Sequence, residues 1–277
     1  MFNKGGDRLR SCALPAPQWS DTVSALSAGV NVQPSRHAPR LLFVRIPPWL
    51  SCNNAHPHDL MWPVATLYAR SRAEAAGWRG AILDLHVEQL DLAAATRRVV
   101  AYAPDALVID SMTPTMAWAA DLARNCAKAL PGLRVWAAGQ HATAQPNETL
   151  AADVPWAGAL RGELDAAIGT VLGDVSGDGA TTLRQLEADA WSLPLDPRGL
   201  LLDRYGMRSA HVPAFGRTRW GFLLSSRGCP YRCTFCSPTL RQSFGRGFRG
   251  QEPRELVEEM ARLHLDHRIG AFTSSTT

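Results

Sequence analysis

The chain has 277 residues, enough for two domains or for one large domain with a linker. A hydrophobic content of 46% and a charged content of 19% are typical of a globular protein, and the sequence has no run of about 20 apolar residues to span a membrane. The net charge is +4, and because only Lys4 and Lys128 are lysines, arginine carries almost all of the positive charge.

The first 38 residues mix Ser, Pro, Ala and Gly without a sustained period, which predicts a disordered extension. Basic residues near the start are not followed by an apolar stretch, so a secretory signal is not expected. We therefore expect a cytoplasmic protein without a membrane partner. In that compartment thiols stay reduced, and a cluster of cysteines indicates metal binding or catalysis before it indicates a disulfide.

Residues 39–173 alternate between short apolar runs, typical of strands, and segments with helical spacing. The predicted strands are RLLFVRI (40–46), GAILDL (80–85), DALVID (105–110), LRVWAAG (133–139) and WAGAL (156–160). Alternation of this kind requires crossover connections, and continuous apolar strands are buried on both faces of a sheet. The pattern predicts an α/β fold: a doubly wound, flavodoxin- or Rossmann-like domain with a parallel sheet.

Ligands of doubly wound domains bind in the crevice at the carboxyl ends of the strands. Here that edge comprises residues 47–49, 111–115, 139–143 and 161–163. The second and third of these loops are rich in Ser, Thr and Gly, which lets backbone and hydroxyl groups approach a ligand closely. Turn formation alone would give the same composition, so the loops indicate a binding edge without identifying a ligand.

Residues 174–219 break the alternation with a Gly/Asp-rich loop and a proline-punctuated stretch, which predicts a linker that wraps rather than packs. A second region, 220–277, then begins with a strand (WGFLLSS, 220–226), an amphipathic helix (PRELVEEMARLHL, 253–265) and a short strand (IGAF, 269–272). The second region is therefore expected to begin as a β–loop–α–β unit.

Three cysteines, Cys229, Cys233 and Cys236, follow the first strand of the second region with the spacing Cys-x3-Cys-x2-Cys. Three thiolates can ligate three irons of a [4Fe–4S] cluster and leave the fourth iron open, whereas a structural zinc site requires four ligands. The candidates for a fourth zinc ligand are His211, His264 and His267, and none has a habitual spacing. The ligand count favours iron–sulfur, and a zinc-stabilised, arginine-rich nucleic-acid binder is the less favoured alternative.

The segment SSRGCPYRCTFCS strongly resembles the cysteine motif of the radical S-adenosylmethionine (radical SAM) superfamily, in particular of members with an N-terminal cobalamin (B12)-binding-type domain. LPLDPRGLLLDRYG is similar to the segment that joins the two domains in those proteins, and GRGFRGQEPRELVEEMARL is similar to the first helix region of their barrel. Residues 103–150 resemble the third and fourth β–α units of the cobalamin-type domain. The resemblance covers about residues 40–272.

The resemblance implies that Cys229, Cys233 and Cys236 hold a [4Fe–4S] cluster whose open iron binds S-adenosylmethionine. An electron from an external donor, of the reduced flavodoxin or ferredoxin type, would cleave the sulfonium and give a 5′-deoxyadenosyl radical for methyl transfer or another carbon-centred reaction. Phe235 would lie near the adenine, and the small-molecule substrate is not identified. The residues expected to line a cobalamin crevice are Ser111, Thr113, Gly139, His141, Thr143 and Gly162.

The sequence departs from the family in two respects. DLHVEQ contains Asp84 and His86, but Gln89 replaces the glycine of the cobalt-ligating D-x-H-x-x-G motif, and the segment follows the second strand instead of the first. We therefore expect His86 to be an ordinary residue at a strand end. The resemblance also implies a barrel of about six β–α units, of which this sequence contains the start, so we expect an inactive piece of a longer enzyme. A non-catalytic module that binds a corrinoid or another ligand is the main alternative.

Overall fold

The computed structural model describes residues 38–46, 59–151, 153–173, 183–184, 193–207, 218–231, 233–236 and 247–276. All of these belong to one compact unit, Gln33–Thr277. The predicted N-terminal extension lies outside the described residues, except for residue 38, and so do the first loop of the predicted binding edge and most of the predicted linker.

Strands and helices follow one another in repeated β–α units. The strands are β1 (Arg40–Arg45), β2 (Asp59–Leu60), β3 (Arg79–Asp84), β4 (Ala106–Asp110), β5 (Arg134–Ala138), β6 (Trp156–Ala159), β7 (Arg161–Gly162), β8 (Leu183–Arg184), β9 (Gly206–Met207), β10 (Arg219–Arg227), β11 (Arg249–Gly250) and β12 (Ile269–Thr276). The helices are α1 (Val64–Ala75), α2 (Leu85–Glu88), α3 (Leu92–Tyr102), α4 (Met116–Ala129), α5 (Gln140–Ala144), α6 (Pro146–Ala151), α7 (Leu164–Gly173) and α8 (Pro253–His267). Among the described helices, none is both long and apolar enough to cross a membrane.

The main sheet has five parallel strands in the order β3–β1–β4–β5–β6. Counted along the chain, this is the order 2-1-3-4-5 of flavodoxin-like domains. The strand order reverses between β1 and β4, and the crevice outside their carboxyl ends is where such domains bind ligands. The predicted doubly wound α/β fold is confirmed.

Helices cover both faces of this sheet, because successive strand residues point to opposite sides. Leu42 and Val44 pack with the apolar residues of α3 and α4, whereas Leu41 and Phe43 pack with those of α1 and α7. Trp136 is the largest completely buried side chain and lies on the α1/α7 face. The resulting three layers explain the apolar runs in these strands, which the sequence indicated.

A second sheet contains β11, β10 and β12, with β10 parallel to β12 and antiparallel to β11. Helix α8 connects the two parallel strands, which confirms the predicted β–loop–α–β order. Leu263 is buried on the inner face of α8, and Leu256 and Met260 pack beside it. This face joins a cluster that also contains Tyr68 of α1 and Phe222 of β10, so the second sheet packs directly on the first domain.

The longest described stretch of the predicted linker, residues 193–207, packs on the first domain, which corrects the expectation that the linker wraps without packing. Leu195 is completely buried and Tyr205 is 5% exposed. The Arg70 guanidinium, itself buried, donates hydrogen bonds to the carbonyl oxygens of Arg198 (2.6 Å) and Asp196. Prolines and glycines break the regular structure of this segment, but its apolar side chains still occupy the core between the two sheets.

Candidate functional site

The six residues predicted to line a cobalamin crevice lie at the carboxyl edge of the main sheet. Ser111 and Thr113 follow β4, Gly139 and His141 follow β5, and Gly162 follows β6. Thr143 is in α5, the short helix that begins immediately after Gly139. Because the three strands are adjacent and parallel, their ends bring these residues together at one edge.

The six residues form two layers. Thr113 is exposed and both Gly139 and Gly162 are partly exposed, so these three can present a hydroxyl and backbone atoms to a ligand. The other three are buried, with exposed fractions of 1–3%, behind that surface. These buried residues are Ser111, His141 and Thr143. Because they are buried, these three residues stabilise the loops of the edge. The surface that a ligand can contact is formed by Thr113, Gly139 and Gly162.

Hydrogen bonds tie the two layers together. The Thr113 hydroxyl lies 3.1 Å from His141 Nδ1, which fixes the loop after β4 to helix α5. The backbone N–H of Gly162 donates to the Thr143 hydroxyl at 3.1 Å, and the Arg161 guanidinium donates to the Thr143 carbonyl oxygen at 3.4 Å. The three loops of the edge are therefore connected to one another through side chains.

Gly139 follows β5 directly and lies close to the end of β4, at a position where only glycine fits. Its φ is +94°, a conformation that residues with a Cβ rarely adopt. A Cβ there would lie 2.3 Å from Asp110 Oδ1 and 2.4 Å from the carbonyl oxygen of Ser111. Glycine thus permits both the backbone turn and the close approach of two strand ends that form the edge.

His86 lies in α2, two residues after the end of the edge strand β3, and β3 is one strand away from the point where the strand order reverses. Arg45 donates a hydrogen bond to His86 Nδ1, and the Asp84 carboxylate accepts one from the backbone N–H of His86 at 3.0 Å. Burial, with a further contribution from the Arg45 charge, lowers the pKa of His86 to about 3, so the imidazole is neutral. These contacts support a structural role for His86, as expected from the sequence.

Asp110, at the end of β4, should give the protein a measurable pH dependence. Burial raises the pKa of Asp110 from 3.8 to about 6. The positive charge of Arg45 opposes this increase, and the negative charge of Asp84 adds to it. The folded state then binds this proton more tightly than the unfolded state, so this carboxyl's contribution to stability falls as the pH rises from about 4 to 6. The loss is about 3 kcal/mol.

We expect Asp110→Asn to remove this part of the pH dependence of the free energy of unfolding, measured by urea denaturation between pH 4 and 7. Asp121→Asn, at an exposed carboxylate of α4, is the matched control and should retain the wild-type dependence. Identical pH dependence in the two variants would contradict the assignment to Asp110.

The cysteine loop leaves β10 through Gly228, whose φ is +75°. Cys229 and Cys233 are exposed and Cys236 is half-buried, with a turn in which the Cys236 N–H donates to the Cys233 carbonyl oxygen at 3.2 Å. Phe235 is 91% exposed. Within the described ranges, His, Cys, Asp and Glu side chains do not form a group of three or more that could hold a metal ion.

Of the candidate zinc ligands, His264 and His267 lie in the last turn of α8. His264 Nδ1 lies 2.7 Å from the carbonyl oxygen of Ile269, so this ring nitrogen takes part in the turn from α8 into β12. His211 lies outside the described residues.

Sequence analysis missed a buried ion cluster at the start of the cysteine loop. Arg227, the last residue of β10, donates two hydrogen bonds of 2.8 Å to Asp165 and one of 3.1 Å to Glu163. Arg249 of β11 contacts the other carboxylate oxygen of Glu163. Burial by itself would lower the pKa of Arg227. The hydrogen bonds to Asp165 and the charges of Asp165 and Glu163 outweigh this effect, and the pKa lies above its ordinary value.

Glu163 and Asp165 belong to the segment RGELD (161–165), and Glu163 ends the last loop of the predicted edge. Its partner Arg227 is 64 residues further along the chain. No local pattern connects the two positions, so only the folded structure shows that they form a pair.

Comparison with known proteins identifies the first domain. Residues 52–172 match the B12 binding domain family. The chain is 33% identical to an uncharacterized methyltransferase of Pyrococcus horikoshii over 87 residues, 31% of this chain and 17% of the relative. It is 25% identical to the anaerobic magnesium-protoporphyrin IX monomethyl ester cyclase of Cereibacter sphaeroides over 187 residues, 61% of this chain and 29% of the relative. The chain thus spans less than a third of these curated relatives.

Two solved structures share the fold. The radical S-adenosylmethionine methyltransferase TsrM of Kitasatospora setae, solved with cobalamin and a [4Fe–4S] cluster, matches with a TM-score of 0.57 and 17% identity, over 87% of this chain and 48% of that chain. The cobalamin-dependent S-adenosylmethionine radical enzyme OxsB, solved with aqua-cobalamin and S-adenosylmethionine, matches with a TM-score of 0.64 and 13% identity, over 86% of this chain and 34% of that chain.

The flavodoxin-like sheet and the family match define a B12-binding-type domain, and the three-cysteine loop belongs to the three-stranded sheet that packs on it. Residues 52–172 are thus similar to B12 binding domains, and the chain shares its fold with solved radical S-adenosylmethionine enzymes that bind cobalamin.

Proposed function

We propose that this chain supplies the corrinoid-binding crevice and the cluster-binding loop of a radical SAM enzyme, with methyl transfer as the favoured reaction. The observation that carries the proposal is the direct attachment of the two candidate sites. The three-cysteine loop begins immediately after Arg227, and Arg227 is held by carboxylates at the carboxyl edge of the B12-binding domain.

The donor sets suit the two groups. Cys229, Cys233 and Cys236 provide three thiols within eight residues, two of them exposed, as a cluster with one open iron requires. At the crevice, the available groups are the Thr113 hydroxyl and the backbone at Gly139 and Gly162. These neutral donors and acceptors suit a corrinoid, whose periphery carries amide groups.

Each set of residues has a distinct task in this proposal. The three cysteines would hold the cluster, which when bound supplies the electron that cleaves S-adenosylmethionine. Phe235, exposed in the same loop, provides an apolar surface for the adenine. The buried Ser111, His141 and Thr143 keep the crevice loops in place, and an external donor of the flavodoxin or ferredoxin type delivers the electron. In the same assignment, residues 39–173 form the corrinoid-binding domain, residues 174–219 form the linker, and the cluster-binding region begins at residue 220.

Anaerobic reconstitution with iron and sulfide tests the proposal. We expect wild-type protein to bind about four irons per chain and to show the absorption and reduced-state EPR spectra of a [4Fe–4S] cluster. Replacing Cys229, Cys233 and Cys236 together by alanine should abolish both, because the thiolates are the ligands. Cys126→Ala is the matched control, since Cys126 is completely buried in the core and should not affect iron binding.

Equal iron in the triple variant and the wild type would overturn the cluster assignment. Stoichiometric zinc that depends on the same cysteines would favour the zinc-stabilised alternative. Retention of hydroxocobalamin by the full chain after gel filtration tests the crevice independently. Corrinoid retention without any cluster would favour a non-catalytic binding module.

A further inference from the structure

Two arginines face each other at the base of the cysteine loop. Arg227 and Arg249 are directly opposed in the antiparallel pair of β10 and β11. Like charges at opposed positions destabilise a strand pair, and Arg227 is also 1% exposed, so solvent cannot screen it. This strand pair therefore needs negative charge from elsewhere in the molecule to form.

The negative charge comes from the B12-binding domain. Glu163 accepts hydrogen bonds from both arginines, and Asp165 binds the Arg227 guanidinium with both carboxylate oxygens. Glu163 and Asp165 are 1% and 2% exposed. Tyr68 of α1 adds a second contact from the same domain, with its ring centroid 5.4 Å from the Arg227 guanidinium carbon.

A short chain of contacts connects this ion cluster to the crevice. Gly162, which presents its backbone at the crevice and donates to the Thr143 hydroxyl, immediately precedes Glu163. On the other side, Gly228 and Cys229 immediately follow Arg227. The ion cluster thus lies between the crevice loop and the first cysteine, with at most one residue separating it from either.

We propose that Glu163 and Asp165 are positioning residues that fix the base of the cysteine loop against the corrinoid crevice, so that the two cofactor sites keep one relative placement. The inference rests on the proposed function for the identity of the two cofactors. In this proposal the two carboxylates act through Arg227 and Arg249, which they contact, and are not themselves ligands of either cofactor. A bidentate pair suits this task, because its planar geometry restrains orientation as well as distance.

The first test measures hydrogen exchange in the full chain without cofactors. We expect Asp165→Asn to speed amide exchange in β10 and in residues 228–231 about tenfold or more, since a buried charged hydrogen bond shifts local opening by about that factor. Arg227→Lys, which keeps the charge but loses the planar fork, should give an intermediate increase. Asp196→Asn, at a half-buried carboxylate that pairs with Arg198, is the control and should leave this segment unchanged.

The second test uses reconstituted protein at a temperature where circular dichroism shows every variant folded. Asp165→Asn and Glu163→Gln should lose iron to a chelator faster than the wild type and shift the EPR spectrum of the reduced cluster, whereas Asp196→Asn should do neither. A purely structural role would not change the spectrum of a folded variant. Unchanged exchange in Asp165→Asn overturns the positioning role, and so does an unchanged spectrum. If the wild type binds no iron, the proposed function fails, and the exchange result alone decides whether the carboxylates fix the loop.

Discussion

Replacing Arg227 by methionine is expected to lower the free energy of unfolding by about 3–5 kcal/mol, the usual cost of removing one partner from a buried ion pair. The substitution leaves the buried Asp165 carboxylate without its bidentate partner. Glu163 loses one of its two arginine partners in the cluster and keeps Arg249. Urea denaturation at pH 7 measures the change.

The size of this effect depends on burial, so the control is an arginine in an exposed pair. Arg219→Met breaks the contact with Asp203, and we expect it to change the free energy of unfolding very little, since solvent screens that pair. A double variant, Arg227→Met with Asp165→Leu, should recover part of the loss, because it also removes the buried carboxylate that Arg227→Met alone leaves unpaired. Equal losses in the two single arginine variants would contradict the interpretation of Arg227 as a buried ionic anchor.

The strands of the main sheet were predictable because burial on both faces leaves a continuous apolar run. RLLFVRI and DALVID differ from β1 and β4 by one residue at an end. The short helices α2, α5 and α6 were not predicted, since segments of four to six residues have no helical period to detect. Strand placement therefore follows from local sequence here, whereas the structure of the connecting loops depends on tertiary contacts.

The candidate site shows the same limit. The sequence located Ser111, Thr113 and His141 at the ends of strands, which is correct, but it could not distinguish a surface hydroxyl from a buried support. How deeply each of these residues is buried depends on how the loops pack on one another, and that packing involves the whole edge of the sheet. The contact of Arg227 with Glu163 was unpredictable for the same reason, because it joins two regions that are separate in sequence.

Leu195 illustrates how composition misled the interpretation of the linker. Its surroundings are rich in proline and glycine, which predicts irregular structure, and the segment is indeed irregular. The backbone N–H of Leu195 nevertheless donates to the Glu259 carboxylate of α8 at 2.8 Å, and its side chain is completely buried. Irregular backbone and core packing are thus compatible, and composition predicts only the first.

Gly139→Ala should be the most damaging of the glycine-to-alanine substitutions at the crevice, with a loss of about 3 kcal/mol in the free energy of unfolding. Part of the cost is backbone strain at φ +94°, and part is the displacement of Asp110 and Ser111 by a Cβ that would lie less than 2.5 Å from both. Because the substitution moves the ends of β4 and β5 apart, we also expect reduced retention of hydroxocobalamin.

Two control substitutions separate these causes. Gly132 has a similar φ of +90° with nothing within 4 Å of an added Cβ, so Gly132→Ala should show the strain alone, about 1 kcal/mol. Gly169 lies in α7 with open space around it, and Gly169→Ala should be neutral or slightly stabilising, since alanine is the better helix former. Neither control should affect corrinoid retention. If Gly139→Ala cost no more than Gly132→Ala, the close approach of β4 and β5 would not be what requires glycine at the crevice.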